Sequence, residues 1–176
     1  MAGGGGRQPS PPAFNDLATQ AMKTITESIE IIAGPELVWR ALTEARAGEK
    51  WRNADFHTDW TPGVPFEITA RVGEAQYRDK GLVLRFDPPK ALEYTYWSRL
   101  SGLADIPDSR STIKMSLDPR GSATLLTVEQ QVPPSPLERG KDWEIGPESG
   151  WKHVQFYWRI TLPILKGVVE RGATAP

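Results

Sequence analysis

Residues 147–171 read PESGWKHVQFYWRITLPILKGVVER. Pro147 and Glu148 suit a first helical turn, where a missing N–H costs nothing and a negative charge meets the positive end of the helix dipole. Lys166 and Arg171 suit the last turn, and Gly172 the stop after it. Trp151, Val154, Trp158, Leu162, Leu165 and Val169 recur at spacings of three and four, the period of one helical face. A second row, Phe156, Ile160, Ile164 and Val168, widens the stripe. A helix this long with so broad an apolar face has to be covered over much of its length. Pro163 removes one backbone hydrogen bond and crowds the Arg159 carbonyl, which predicts a kink or bend there.

The cover lies upstream, in segments of period two. Thr24–Ile32 is a strand rich in β-branched residues. Gly34-Pro35-Glu36 then opens a helix with Leu37, Val38, Ala41 and Leu42 as its stripe, and a second short helix spans about 47–52 with Trp51 as its buried anchor. Ala54–Trp60 is a short strand, and Thr61-Pro62-Gly63 has turn chemistry. Pro65–Val72 alternates Phe66, Ile68, Ala70 and Val72 with polar neighbours. Ala75–Phe86 is the next strand, ended by Asp87-Pro88-Pro89. Ala91–Trp97 alternates Leu92, Tyr94 and Tyr96 with Glu93, Thr95 and Trp97. Ser111–Leu117 alternates Ile113, Met115 and Leu117, and Ala123–Val132 alternates Leu126, Val128 and Gln130. Asp118-Pro119-Arg120-Gly121 turns the chain between them. The order is one strand, two short helices, about six more strands and a long helix. The class is therefore α+β, with a curved antiparallel sheet of about six to seven strands wrapped around the C-terminal helix.

Composition narrows the function. The 176 residues allow one domain with a real core. Residues 1–22, rich in Gly and Pro, read as a disordered tail, and the domain spans 23–172. The formal net charge of −1 and scattered basic residues offer no nucleic-acid surface. The absence of cysteine excludes disulfides and thiolate chemistry. No apolar run reaches the roughly 20 residues of a membrane span, and no apolar signal core opens the chain, so a cytoplasmic location is expected.

Several stretches together resemble the START-like (SRPBCC, helix-grip) superfamily, in the branch named after the C-terminal domain of the activator of Hsp90 ATPase. They are Ile29–Leu42 (IEIIAGPELVWRAL), Trp51, Asp59–Gly63 with Phe66, Gly81–Tyr94 (GLVLRFDPPKALEY), Gly121–Val128, and Gly150-Trp151. Val64 replaces a glycine usual in the family's strand entry. The resemblance covers about residues 23–171. It implies a cavity between sheet and long helix. It does not imply one activity, since relatives include lipid and hormone binders, polyketide cyclases and co-chaperones.

The candidate chemistry is sparse. His57 and His153 are the two histidines, with no metal-ligand spacing, and no metal or cofactor is implied. His57, next to Phe56 on a short strand, is the general-base candidate if it points inward. No Gly-x-Ser-x-Gly elbow and no phosphate loop is present. The pocket reading is richer. Tyr94 and Tyr96 would bring hydroxyls into an apolar space beside Leu92, and Met115 would add an adaptable wall. Trp151, Trp158 and Leu162 would supply the helix side, and Trp51 and Phe66 complete the candidate ligand-binding set. The same residues would serve equally as core packing. The loops 98–108 and 133–146 would flank the mouth. Binding of a small apolar molecule, lipid-like or aromatic, is the leading expectation. The alternatives are a co-chaperone contacting an Hsp90-type chaperone, and a cyclase or aromatase using His57, Tyr94 and Tyr96.

Overall fold

The structure, a computed structural model, describes residues 22–139, 144–146 and 148–173. The expected tail lies outside them, save for Met22. In chain order the elements are β1 (Lys23–Ile31), α1 (Pro35–Thr43), a 3-10 turn (Ala47–Lys50), β2 (Ala54–His57), β3 (Pro65–Val72), β4 (Ala75–Asp87) and β5 (Ala91–Trp97). Two further 3-10 turns (Arg99–Ser101 and Pro107–Ser109) lead to β6 (Ser111–Arg120) and β7 (Ala123–Val132). A two-residue ladder, β8 (Glu138–Arg139) with β9 (Glu144–Ile145), precedes α2 (Glu148–Ala173).

β2 to β7 meander in chain order, and β1 adds to the free side of β7. The result is one seven-stranded antiparallel sheet in the order β1-β7-β6-β5-β4-β3-β2. The expected α+β class and helix-grip layout are what the chain adopts. Alternation decides which side chains face α2: Leu92, Tyr94, Ile113, Met115, Val128 and Gln130 are all buried on one face.

Side chains after α1 close its last turn. The Trp51 indole donates to the Ala41 carbonyl (3.0 Å), Arg52 Nη2 to the Leu42 carbonyl (3.3 Å) and the Trp60 indole to the Thr43 carbonyl (2.8 Å). Helix-end carbonyls have no partner within the helix, so these three donors both satisfy α1 and fix the chain that follows it. α2 is tied along β1. Arg159 pairs with Glu27 at 2.8 Å, Lys166 donates to the Glu30 carbonyl at 2.7 Å, and Glu170 accepts from the Ile32 N–H at 2.8 Å.

Two expectations need correction. In α1, Leu37 is 38 % exposed, and Trp39 takes the inward position against Phe86, ring centroids 5.3 Å apart. In α2, the first row is the one that packs, with Trp158, Leu162, Leu165 and Val169 buried. The second row faces outward at Phe156 (65 % exposed), Ile160 (49 %) and Ile164 (44 %), while its last member, Val168, is half-buried against the core. One sheet covers one face, and the three exposed positions point away from it. Pro163 lies inside α2, which runs on past it as one helix to Ala173.

Candidate functional site

The sheet register sorts the inward residues into rows. Leu92 pairs with Met115 and Met115 with Val128, which makes one wholly apolar row. This row packs tightly, and Leu92, Met115, Val128, Leu162 and Leu165 are all buried within one cluster. The next row is Tyr94, Ile113 and Gln130, and beyond it Tyr96 pairs with Ser111. Here the first half of α2 stands over a cavity of about 420 Å³. Ile68, Ile113 and Val132 of the sheet, with Val154, Tyr157 and Trp158 of α2, form much of its wall. Residues from the loop after β5 (Ser98, Leu100, Ser101, Leu103) and from the segment after β7 (Pro133, Ser135) form its rim.

Polar groups converge on this space from three places. Asp79, 2 % exposed on the inner face of β4, accepts from the Tyr96 hydroxyl (2.6 Å), the Arg99 N–H (2.9 Å) and the Ser98 hydroxyl (3.3 Å). Burial, and then the Asp79 charge, push the Tyr96 phenol well above its usual range, so it stays a proton donor. Gln130 accepts from the Trp158 indole at 2.8 Å, which leaves its amide nitrogen for another partner. Arg52 lies over the Phe56 ring at 3.7 Å and the Trp51 ring at 4.6 Å, close beside the Tyr94 phenol. Burial raises Tyr94, while the nearby guanidinium pulls it back.

The expected site residues divide. Tyr94, Tyr96 and Trp158 border the cavity. Leu92, Met115 and Leu162 lie in the packed rows beside it. Phe66 is buried in an aromatic cluster with Phe56 and Trp60, centroids 5.7 and 5.8 Å away. Trp51 backs Arg52 from below. Trp151 sits at the start of α2, where its indole donates to the Val132 carbonyl at 3.2 Å and Lys23 lies over its ring. On β2, Phe56 takes the inward side. His57 is exposed and bonds Thr69 at 2.8 Å, so it does not border the cavity.

Among the lining residues that the sequence reading did not assign to the site, Arg52, Asp79, Gln130 and Tyr157 carry the polar groups that matter most here. Signals for three of them were available. Asp79 is in phase with Val83 on β4, Gln130 with Leu126 and Val128 on β7, and Tyr157 is three residues past Val154 on α2. Arg52 had none, because its position comes from the way Trp51, Arg52 and Trp60 close α1. Among the described residues, no group of three or more His, Cys, Asp or Glu is arranged to hold a metal, and no helix is long and apolar enough to cross a membrane.

Solved structures share this fold. A crystal structure of a Mesorhizobium loti protein is 23 % identical, covering 88 % of this chain and 100 % of its own, with a TM-score of 0.64. A solution structure from Cytophaga hutchinsonii is 22 % identical, covers 89 % and 100 %, and gives 0.66. The solution structure of the Aha1 dimer from Colwellia psychrerythraea is 20 % identical, covers 85 % and 97 %, and gives 0.59. Nothing matches among curated proteins. A family model matches residues 33–166, from just before α1 to the last third of α2. The chain belongs to the family described as activator of Hsp90 ATPase homolog 1-like protein.

Proposed function

We propose that this domain binds one small apolar molecule between the sheet and the first half of α2. The observation that supports the reading is the cavity of about 420 Å³, with mostly aliphatic and aromatic walls and a few convergent polar groups. That combination, in that size range, is the usual build of a small-molecule pocket. The neutral fluorescent probe N-phenyl-1-naphthylamine tests it. Saturable emission with one site per chain is expected. The variant Ser111→Trp, which places a ring inside the wall, should lose at least about tenfold in probe affinity while keeping its fold. Emission that never saturates, or that Ser111→Trp leaves unchanged, would sink the reading.

The exposed row Phe156, Ile160 and Ile164 on α2 favours a second reading, contact with an Hsp90-type chaperone of the kind the family name indicates. An ATPase assay with the host's Hsp90-type protein, comparing the native chain with Phe156→Asp, reads it directly. Identical ATPase rates with and without the native chain would remove it. Cyclase or aromatase chemistry would have to run on groups that border the cavity, such as Tyr96, Asp79 and His153, since His57 faces the other side of β2.

A further inference from the structure

Arg52 is 8 % exposed and borders the cavity. A guanidinium keeps its charge under all ordinary conditions, and a buried charge is normally matched by a carboxylate. No ion pair joins Arg52 to an acid among the described residues. The nearest acids in sequence are engaged elsewhere: Glu49 with Arg46 and Arg71, and Asp55 with the Arg46 N–H. Asp79 is taken by Tyr96, Ser98 and Arg99. What Arg52 does have is the Leu42 carbonyl, the negative end of α1 and two aromatic faces. These offset the charge only partly, and its Nε has no hydrogen-bond partner.

Two hydroxyls stand beside it. Tyr94 is next to the guanidinium, and Tyr157 of α2 feels both Arg52 and Tyr94. Burial pushes the Tyr157 phenol up to about 12 and Tyr94 also up, so both keep their protons. Of the three lining phenols, Tyr96 donates to a protein acceptor, Asp79. Tyr94 and Tyr157 donate to no described protein group. One cation and two free donors at one end of an apolar space form a seat for a single negative charge with an apolar body attached. A doubly charged phosphate would leave one charge unmatched.

We propose that the cavity takes a monocarboxylic acid, its carboxylate on Arg52, Tyr94 and Tyr157 and its apolar body along Ile68, Ile113, Val154 and Trp158. The proposal rests on the cavity being a ligand site, and deepens that reading by naming the ligand's charged group.

Competition against N-phenyl-1-naphthylamine at neutral pH tests it, with decanoate and 1-decanol as displacers that share one body. On the native chain, decanoate should displace the probe at a concentration at least about tenfold lower than decanol, because only the acid pairs with the guanidinium. In Arg52→Met that advantage should fall to within about twofold, while the probe itself still binds. Equal potency of the two displacers on the native chain, with the probe bound, would overturn the carboxylate seat and leave the cavity reading standing. Failure of the probe to bind at all would remove both. An equal loss for acid and alcohol in Arg52→Met would mark Arg52 as structural and overturn the proposal. Should Arg52→Met not fold, Tyr94→Phe and Tyr157→Phe decide. Weakening of decanoate alone supports the seat, and no selective change refutes it.

Discussion

Replacing Asp79 with Ala removes the acceptor for three donors at once. The Tyr96 contact, at 2.6 Å, is a short charge-assisted bond, the Arg99 N–H follows at 2.9 Å, and the Ser98 hydroxyl at 3.3 Å contributes least. A hydrogen bond to a charged group contributes about 1.5–3 kcal/mol. Deleting the carboxylate also removes its own cost of burial, and the Ser98 hydroxyl can rotate toward the cavity. The net loss for Asp79→Ala should therefore be about 2–4 kcal/mol, below the simple sum of three bonds. Tyr96→Phe should cost about 1–2 kcal/mol, since it leaves Asp79 two donors. In the double-mutant cycle the pair should show a coupling of about 1.5–3 kcal/mol, read by urea unfolding. The same carboxylate anchors the start of the loop after β5, which forms the rim. Amide exchange at Ser98–Leu103 should accordingly speed up in Asp79→Ala with β6 and β7 unchanged. Additive single-mutant effects, with a coupling below about 0.5 kcal/mol, would refute the claim that Asp79 and Tyr96 form one buried unit.

Other outcomes follow from single features. A Cβ at Gly81 would overlap the Phe66 ring and lie 2.8 Å from the Thr95 carbonyl oxygen, so Gly81→Ala should lower stability by about 1–3 kcal/mol in urea unfolding. Leu162→Ala should cost about 2–5 kcal/mol, whereas Leu100→Ala, at the exposed rim, should stay within about 0.5 kcal/mol; comparable losses in thermal unfolding would contradict the division into packed rows and rim. Tyr157 illustrates the pH dependence: its folded-state pKa is about 12, and an unfolded phenol titrates near 10. Between those values the unfolded chain has released a proton that the folded chain still holds. Stability from this group is therefore complete below about pH 10 and is lost as pH rises through about 12, with a slope of about 1.4 kcal/mol per pH unit. Tyr94 and Tyr96 act in the same direction, so urea midpoints that stay level across that window would count against burial of these phenols.

Much of the fold was readable because period two and period 3.6 report directly on which face a sheet or helix buries. Leu92, Tyr94 and Tyr96 on β5, and Leu126, Val128 and Gln130 on β7, all face α2 as their alternation implies. The misreadings arose where periodicity leaves two answers. On α2, two apolar rows satisfy the helical period, and a single sheet can cover one of them; the contacts of β1 with Arg159 and Lys166 determine which. On α1, Leu37 and Trp39 flank Val38 on opposite sides, and Trp39 goes inward because Phe86 meets it there.

The site was harder to read for a different reason. Alternation names the inward residues of each strand but does not say which rows the helix reaches. Leu92 and Tyr94 are two residues apart on one face. Register places Leu92 in line with Met115 and Val128, whose flexible and branched chains fill the gap to Leu162 and Leu165. The same register places Tyr94 in line with Ile113 and Gln130, where a planar ring and a hydrogen-bonded amide leave space open. A row closes when every member is aliphatic and stays open when polar members must keep partners, because a polar group cannot be packed over without losing its hydrogen bond. Asp79, Gln130 and Arg52 thus mark the open end of the interior for one physical reason. Each has its polar group fixed by protein on one side, to Tyr96, Trp158 and Leu42 respectively, which orients it at the cavity wall. Changing Gln130 to Leu should on this logic let the wall close in and lower probe affinity, even though the substitution adds apolar surface to an apolar site. A simple hydrophobic pocket would bind the probe more tightly, and that result would refute the row argument.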